Sequence, residues 1–169
     1  MHLGQFIRSV PDYPKKGVLF YDITPLLGNG EAFRECIENF STGVSKWQPT
    51  KILSPEARGF IFGAALAMRL AIGFVPVRKP GKLPGETRSV SYSLEYGTNT
   101  LYKPADALAS KDRVLLVDDV LATGGTIHAM RDLVAASGAQ IVGCAVLLEL
   151  DALHGRKNLD MPFHTLLHV

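Results

Sequence analysis

The run Val114-Leu115-Leu116-Val117-Asp118-Asp119, continued by Ala122-Thr123-Gly124-Gly125-Thr126, constrains this chain more than any other stretch. Four consecutive apolar residues predict a strand buried on both faces, as in a parallel sheet. The two carboxylates follow where that strand is expected to end, and the Gly-Gly turn then opens a helical pattern. Ligands of open α/β sheets bind beyond the carboxyl ends of the strands. Glycines leading into a helix N-terminus present bare backbone N–H groups to an anion. The parts suit a molecule with vicinal hydroxyls for the carboxylates and a phosphate for the loop, which a ribose 5-phosphate satisfies. A strand-to-helix turn with two solvated acids is the alternative.

Periodicity elsewhere supports the same class. Phe33, Cys36, Ile37, Phe40, Val44 and Trp47 recur at i, i+3, i+4, i+7 and predict an amphipathic helix over residues 30–47. Ile52-Leu53-Ser54 predicts a short strand, Phe60 to Leu70 a helix, and Phe74 to Val77 a strand whose pairing Pro76 limits. Ile127, Met130, Leu133 and Val134 line one face of a helix stopped near Gly138, and Ile141 to Leu148 predicts a final buried strand. This alternation predicts an α/β fold: a mainly parallel central sheet flanked by helices, with right-handed crossovers. Val90, Tyr92 and Leu94 alternate with serines, and Leu101-Tyr102 follows the turn at Gly97. These residues predict a hairpin projecting from the sheet, within a flap over residues 79–102. Residues 1–30 are rich in proline, glycine and aromatics without a clear period, and are expected to form a hood covering something.

The 169 residues are expected to form a single domain spanning 1–169, long enough to bury a core without staples. A net charge of +2 gives no electrostatic case for nucleic acid. The most apolar stretch, near Ala64 to Val77, is broken by Arg69, Gly73 and Pro76, and no membrane span is expected. Residues 1–8 lack the apolar core of a signal peptide. Cys36 and Cys144 lie far apart in apolar contexts, which fits two reduced, buried thiols in a cytoplasmic protein.

Three more segments carry candidate chemistry. Glu56-Ala57-Arg58-Gly59 again joins a strand to a helix, and Arg58 is a planar fork suited to phosphate oxygens. Arg78-Lys79-Pro80-Gly81-Lys82 sets three cations in a shaped loop, fit for a polyanionic leaving group or simply solvated. Glu95 stands at the turn of the proposed flap, where an acid either meets substrate on closure or remains a solvated turn glutamate.

The segments Pro11 to Phe20, Glu56 to Phe60, Arg78 to Thr87, Tyr92 to Gly97 and the 117–126 run occur together and in order. The last of these resembles the signature of phosphoribosyltransferases that use 5-phosphoribosyl 1-pyrophosphate (PRPP). The ordered set, from residue 11 to about 156, resembles the adenine phosphoribosyltransferases of the type I phosphoribosyltransferase family. The resemblance implies that PRPP and adenine react to give AMP and pyrophosphate in purine salvage. It implies that Asp118 and Asp119 face the ribose hydroxyls. Ala122, Thr123, Gly124, Gly125 and Thr126 would hold the 5′-phosphate, and Arg58, Lys79 and Lys82 the pyrophosphate. Glu95 becomes the catalytic flap acid, Leu19, Tyr21 and Leu150 the base contacts, and the Glu56–Ala57 peptide is expected to be cis. Mg²⁺ held mainly through PRPP and pyrophosphate is the implied cofactor, and a homodimer the implied assembly.

One departure bears on the base. The family typically reads Phe-Arg-Asp where this chain has Phe20-Tyr21-Asp22, and tyrosine supplies no cation. From Gln140 to Leu153 there is no lysine or arginine to meet the O6 of a 6-oxopurine, which favours adenine. Two alternatives stay open at Tyr21: an enzyme preferring another purine, and a regulator that binds PRPP without turnover. His164 and His168 stand four apart, a ligand spacing on a helix, but lack carboxylate or cysteine company, so no protein metal site is expected.

Overall fold

Val114, Leu115, Leu116 and Val117 are all completely buried. Side chains of this kind contribute roughly 1.5–3 kcal/mol each when fully buried, and the sheet is built around them. The computed structural model describes residues 2–94 and 97–169. The chain divides into two compact units, Met1–Asn39 and Phe40–Val169.

In the first unit, strands β1 (Arg8–Pro11) and β2 (Leu19–Asp22) form an antiparallel pair with Val10 opposite Phe20. Asp12 shapes the loop between them: its Oδ1 accepts the Gly17 N–H at 2.7 Å. A one-turn helix α1 (Thr24–Gly28) follows, and then α2 (Gly30–Val44), which carries on into the second unit. Asn29 Oδ1 accepts the Ala32 N–H at 2.9 Å and so caps the start of α2. The sequence pattern did not disclose the β1–β2 pair. The helix expected over 30–47 ends at Val44 and finishes as a 3₁₀ turn, Ser45–Trp47.

The second unit is the parallel sheet. Its elements are β3 (Lys51–Pro55), α3 (Arg58–Leu70), β4 (Gly73–Val77), β5 (Thr87–Leu94), β6 (Gly97–Pro104), β7 (Arg113–Leu121), α4 (Gly125–Ala135), β8 (Gln140–Glu149) and β9 (Phe163–His168). Strand order is β4-β3-β7-β8-β9, with every pair parallel. Helices cover both faces. Leu53, Val75, Leu116 and Val146 join Ile127, Met130 and Leu133 of α4 in one core. On the other face Ser54 lies so close to Gly63 of α3 that any side chain there would overlap it. Pro76 sits on the edge strand β4, where its missing N–H costs least.

β5 and β6 pair antiparallel from Thr87↔Pro104 to Leu94↔Gly97, the hairpin expected from the serine alternation. The backbone of Tyr102 also exchanges two 2.8 Å hydrogen bonds with Arg78, which joins the hairpin base to the end of β4. Two readings of the sequence need correction. Ile141–Leu148 is not the last strand, because β9 adds a parallel edge beside β8. Asp118 and Asp119 do not follow β7 but lie within it.

Candidate active site

Unequal strand pairing creates the place where the acids sit. β3 pairs with β7 only as far as Leu53↔Leu116, whereas β8 follows β7 to Leu121↔Glu149. Asp118 and Asp119 therefore occupy a stretch of β7 with a strand on one side only, beside the turn from β3 into α3. Both are buried. The Asp119 N–H donates to Asp118 Oδ1 at 2.8 Å. Arg58 lies in the first turn of α3, and its Nε is 2.6 Å from Asp119 Oδ2. The contact is an ion pair whose angle falls outside hydrogen-bond geometry.

Gly59 makes this approach possible. A Cβ at that position would stand 2.7 Å from Pro55 Cδ and 2.9 Å from Asp118 Oδ1. Its value lies in helix-to-strand packing beneath the acids. Burial drives the Asp118 carboxyl well above the usual carboxylate range, and the adjacent Asp119 charge adds to the effect, with Arg58 opposing. Two adjacent carboxyl groups offer the oxygen atoms that two adjacent hydroxyls need as partners.

The loop after β7 turns through Gly124 at φ +89° into α4. Ala122, Thr123, Gly124, Gly125 and Thr126 line one cavity of about 240 Å³, together with Tyr92 and Asn99 of the hairpin. Tyr92 and Asn99 are direct cross-strand partners, so one rung of the hairpin closes over the glycine turn. In the sequence Tyr92 stands in an alternation and in the Tyr92–Gly97 segment, and Asn99 in neither; that both line a cavity with the glycine turn is legible only once the hairpin register is known.

A third set of residues fixes the cationic loop. Glu56 Oε1 accepts the Lys79 N–H at 2.7 Å and Arg78 Nε at 3.1 Å, and Arg78 Nη1 donates to the Lys82 carbonyl at 3.3 Å. The Lys79 N–H bond, then the Arg78 contact, holds the Glu56 carboxyl below its ordinary range despite some burial. Lys79 lines a separate cavity of about 220 Å³ with Gly81, Leu83, Gly85, Thr87 and Tyr102. The Glu56–Ala57 peptide is cis, as the resemblance implied. Nothing local in the sequence marks a role for Glu56; its contacts tie the cationic loop to the segment that carries Arg58.

The remaining candidates are distributed as follows. The Leu150 N–H donates to the Leu121 carbonyl at 2.9 Å, placing Leu150 beside the end of β7. Leu19 and Tyr21 lie on β2 of the first unit, opposite Pro11 and Ser9. Glu95 lies outside the described residues. His164 and His168 are on a strand and not a helix: His164 meets the Phe40 ring edge-on with centroids 6.4 Å apart, and His168 Nδ1 is 2.8 Å from Asp151 Oδ1. Glu149 approaches the latter pair, but its carboxylate is already engaged by the Arg156 guanidinium and the Thr165 hydroxyl. No helix among the described residues is long and apolar enough to cross a membrane.

Residues 24–168 match the family model described as phosphoribosyl transferase domain. An adenine phosphoribosyltransferase of Solidesulfovibrio magneticus is 55% identical over 159 residues, covering 94% of this chain and 93% of that one. The crystal structure of adenine phosphoribosyltransferase from Thermoanaerobacter pseudethanolicus superposes with a TM-score of 0.96 at 49% identity, over 99% of this chain and 98% of the other. The Saccharomyces cerevisiae enzyme, solved with adenine and an imino-altritol bisphosphate, gives a TM-score of 0.94 at 37% identity, over 98% and 96% of the two chains.

Proposed function

The chain belongs to the adenine phosphoribosyltransferase family, and from that premise we propose that the Asp118–Asp119 site binds PRPP and passes its 5-phosphoribosyl group to adenine, giving AMP and pyrophosphate. The single observation that carries the site assignment is the contiguity of three parts. They are a buried acid pair, an arginine on one of those acids, and a glycine loop that lines its own cavity from the end of the same strand.

Asp118 and Asp119 take the ribose 2′- and 3′-hydroxyls. Ala122, Thr123, Gly124, Gly125 and Thr126 take the 5′-phosphate through N–H groups at the start of α4 and through the threonine hydroxyls. Arg58, Lys79 and Lys82 take the pyrophosphate. The bond from the anomeric carbon to pyrophosphate breaks with its electron pair leaving on the pyrophosphate, and a purine nitrogen forms the new bond. Positive charge grows on the sugar as it does so, and the acid pair beneath the ribose stabilises it. Glu95 accepts the proton that the purine releases. Leu150 meets the base, and closure of the 79–102 flap excludes water.

Mg²⁺ suits this donor set. With Asp119 paired to Arg58 and Asp118 accepting a backbone N–H, the described residues of the site form no closed cage of protein oxygens. Asp118 and Asp119 would hold such an ion by way of the PRPP oxygens it keeps as ligands, and when bound it supplies charge neutralisation for the departing pyrophosphate. The working unit is a homodimer in the cytoplasm.

Titration calorimetry with PRPP and Mg²⁺ tests the assignment. The wild-type chain should bind, and Asp119→Asn should weaken binding by at least about tenfold, the loss of one charge-assisted contact of roughly 1.4 kcal/mol or more. Unchanged PRPP affinity in Asp119→Asn would remove the acid pair from the site.

A further inference from the structure

The glycine loop is braced from outside by a turn that none of the chemistry above uses. Gly155 is buried, and a Cβ there would overlap the carbonyl oxygen of Ala122 and press on the Leu121 side chain. The contact is mutual: a Cβ at Gly124 would overlap the Gly155 carbonyl oxygen. Two glycines thus let two backbones touch, one of them the loop assigned to phosphate. The same turn also reaches α4. His128 Nε2 is 3.3 Å from the Lys157 carbonyl, and Arg131 Nη1 donates to the Asn158 carbonyl at 3.3 Å.

The turn is itself anchored to the sheet by Arg156. Its Nε donates to Glu149 Oε1 at 2.6 Å, and its Nη2 donates to Glu149 Oε2 and, at 2.9 Å, to Thr165 Oγ1. Thr165 Oγ1 donates in turn to Glu149 Oε2 at 2.8 Å. The guanidinium lies over the Phe163 ring, 4.7 Å from its centroid. A two-pronged arginine–carboxylate pair fixes direction as well as distance. The chain of contact runs from the ends of β8 and β9, through Arg156 and Gly155, to the backbone of Ala122 and Gly124.

We infer that Arg156 is a positioning residue for phosphate binding: by seating Gly155 against Ala122 and Gly124, it holds the 122–126 backbone in the curve that aims its N–H groups at the 5′-phosphate. The inference rests on the reading of that loop as the phosphate site. Glycine loops have many conformations to lose, and an external brace supplies the order that their own side chains cannot. A phosphate cradle that relaxes by a fraction of an ångström loses aligned N–H donors and leaves the acid pair untouched.

The test is steady-state kinetics with PRPP and adenine varied separately, alongside thermal melts, for Arg156→Ala, Arg156→Lys and Gly155→Ala. Displacements of this size cost on the order of tenfold to a hundredfold. Arg156→Ala and Gly155→Ala should raise the KM for PRPP by such a factor, with the KM for adenine within about twofold, and Arg156→Lys should recover only part of the loss because it keeps the charge without the fork. Direct titration with ribose 5-phosphate should show the same loss. Equal losses toward PRPP and adenine, or an unchanged KM for PRPP in a folded Arg156→Ala protein, would overturn the inference. If Arg156→Ala does not fold, the Gly155→Ala and Arg156→Lys split decides it by the same criterion. Failure of the wild-type chain to bind ribose 5-phosphate at all would overturn the loop assignment instead, and the inference with it.

Discussion

Arg58 Nε stands 2.6 Å from Asp119 Oδ2, so the group assigned to pyrophosphate and the group assigned to ribose already touch. The two stand in separate motifs of the sequence, 61 residues apart. Their contact follows from β3 and β7 being neighbours, which puts the start of α3 over the side of the acid pair that has no paired strand.

Asp118→Asn should separate stability from chemistry. The amide keeps an oxygen for the Asp119 N–H and removes a group that burial and the neighbouring charge already push toward neutrality. Thermal midpoint should hold or rise slightly, while kcat/KM for PRPP falls by about tenfold or more. Melting curves and initial rates on the same preparation check both halves.

Gly59→Ala should damage the site through packing. The added methyl meets Pro55 at 2.7 Å and Asp118 Oδ1 at 2.9 Å, and helix and strand must part to admit it. Overpacking of this kind costs roughly 1–3 kcal/mol. Urea unfolding should show that loss, and activity should fall further than stability because the shift is applied directly to Asp118.

How legible the site was depends on whether its residues were marked locally. The acid pair, the glycine turn and Arg58 each come after a short apolar run, and that local pattern marks them. Their surroundings were not marked. β9 escaped because Phe163–His168 is half-buried along nearly its whole length and mixes His164, Thr165 and His168 with leucines, so neither alternation nor an apolar run appears. The charge of Asp118 and Asp119 predicts that the buried strand ends before them; they lie within β7 because β8 continues alongside while β3 stops. The β1–β2 pair stayed hidden behind a loop with Pro14 and Gly17 between strands of only four residues. Glu56 and Gly155 act through partners more than twenty residues away, which no local pattern records.

Glu56→Gln should loosen the cationic loop. The carboxylate holds both the Lys79 N–H and the Arg78 guanidinium, and an amide oxygen accepts less strongly. The expected outcome is a several-fold rise in the KM for pyrophosphate in the reverse reaction, with AMP affinity little changed, measured by initial rates from AMP and pyrophosphate.

Acid stability should report on Glu149. Burial raises its carboxyl, but the bonds from Arg156 and Thr165 and the Arg156 charge outweigh burial and leave it below the ordinary value of 4.5. A depressed folded pKa means that its stabilisation is complete above pH 4.5 and disappears as pH falls through the folded value. Stability of the wild type should therefore drop below that pH more steeply than that of Glu149→Gln, which has no such proton to take up. Denaturant midpoints at several pH values check the slope.

The central claim is that this site joins adenine to the ribose of PRPP. The most direct measurement supplies purified protein with PRPP and Mg²⁺, offers adenine, hypoxanthine or guanine separately, and follows the nucleoside monophosphate formed. AMP from adenine, with little product from the 6-oxopurines, is the predicted result, in keeping with the absence of lysine and arginine from Gln140 to Leu153. IMP or GMP as the main product, or no product from a protein that binds PRPP, would contradict it.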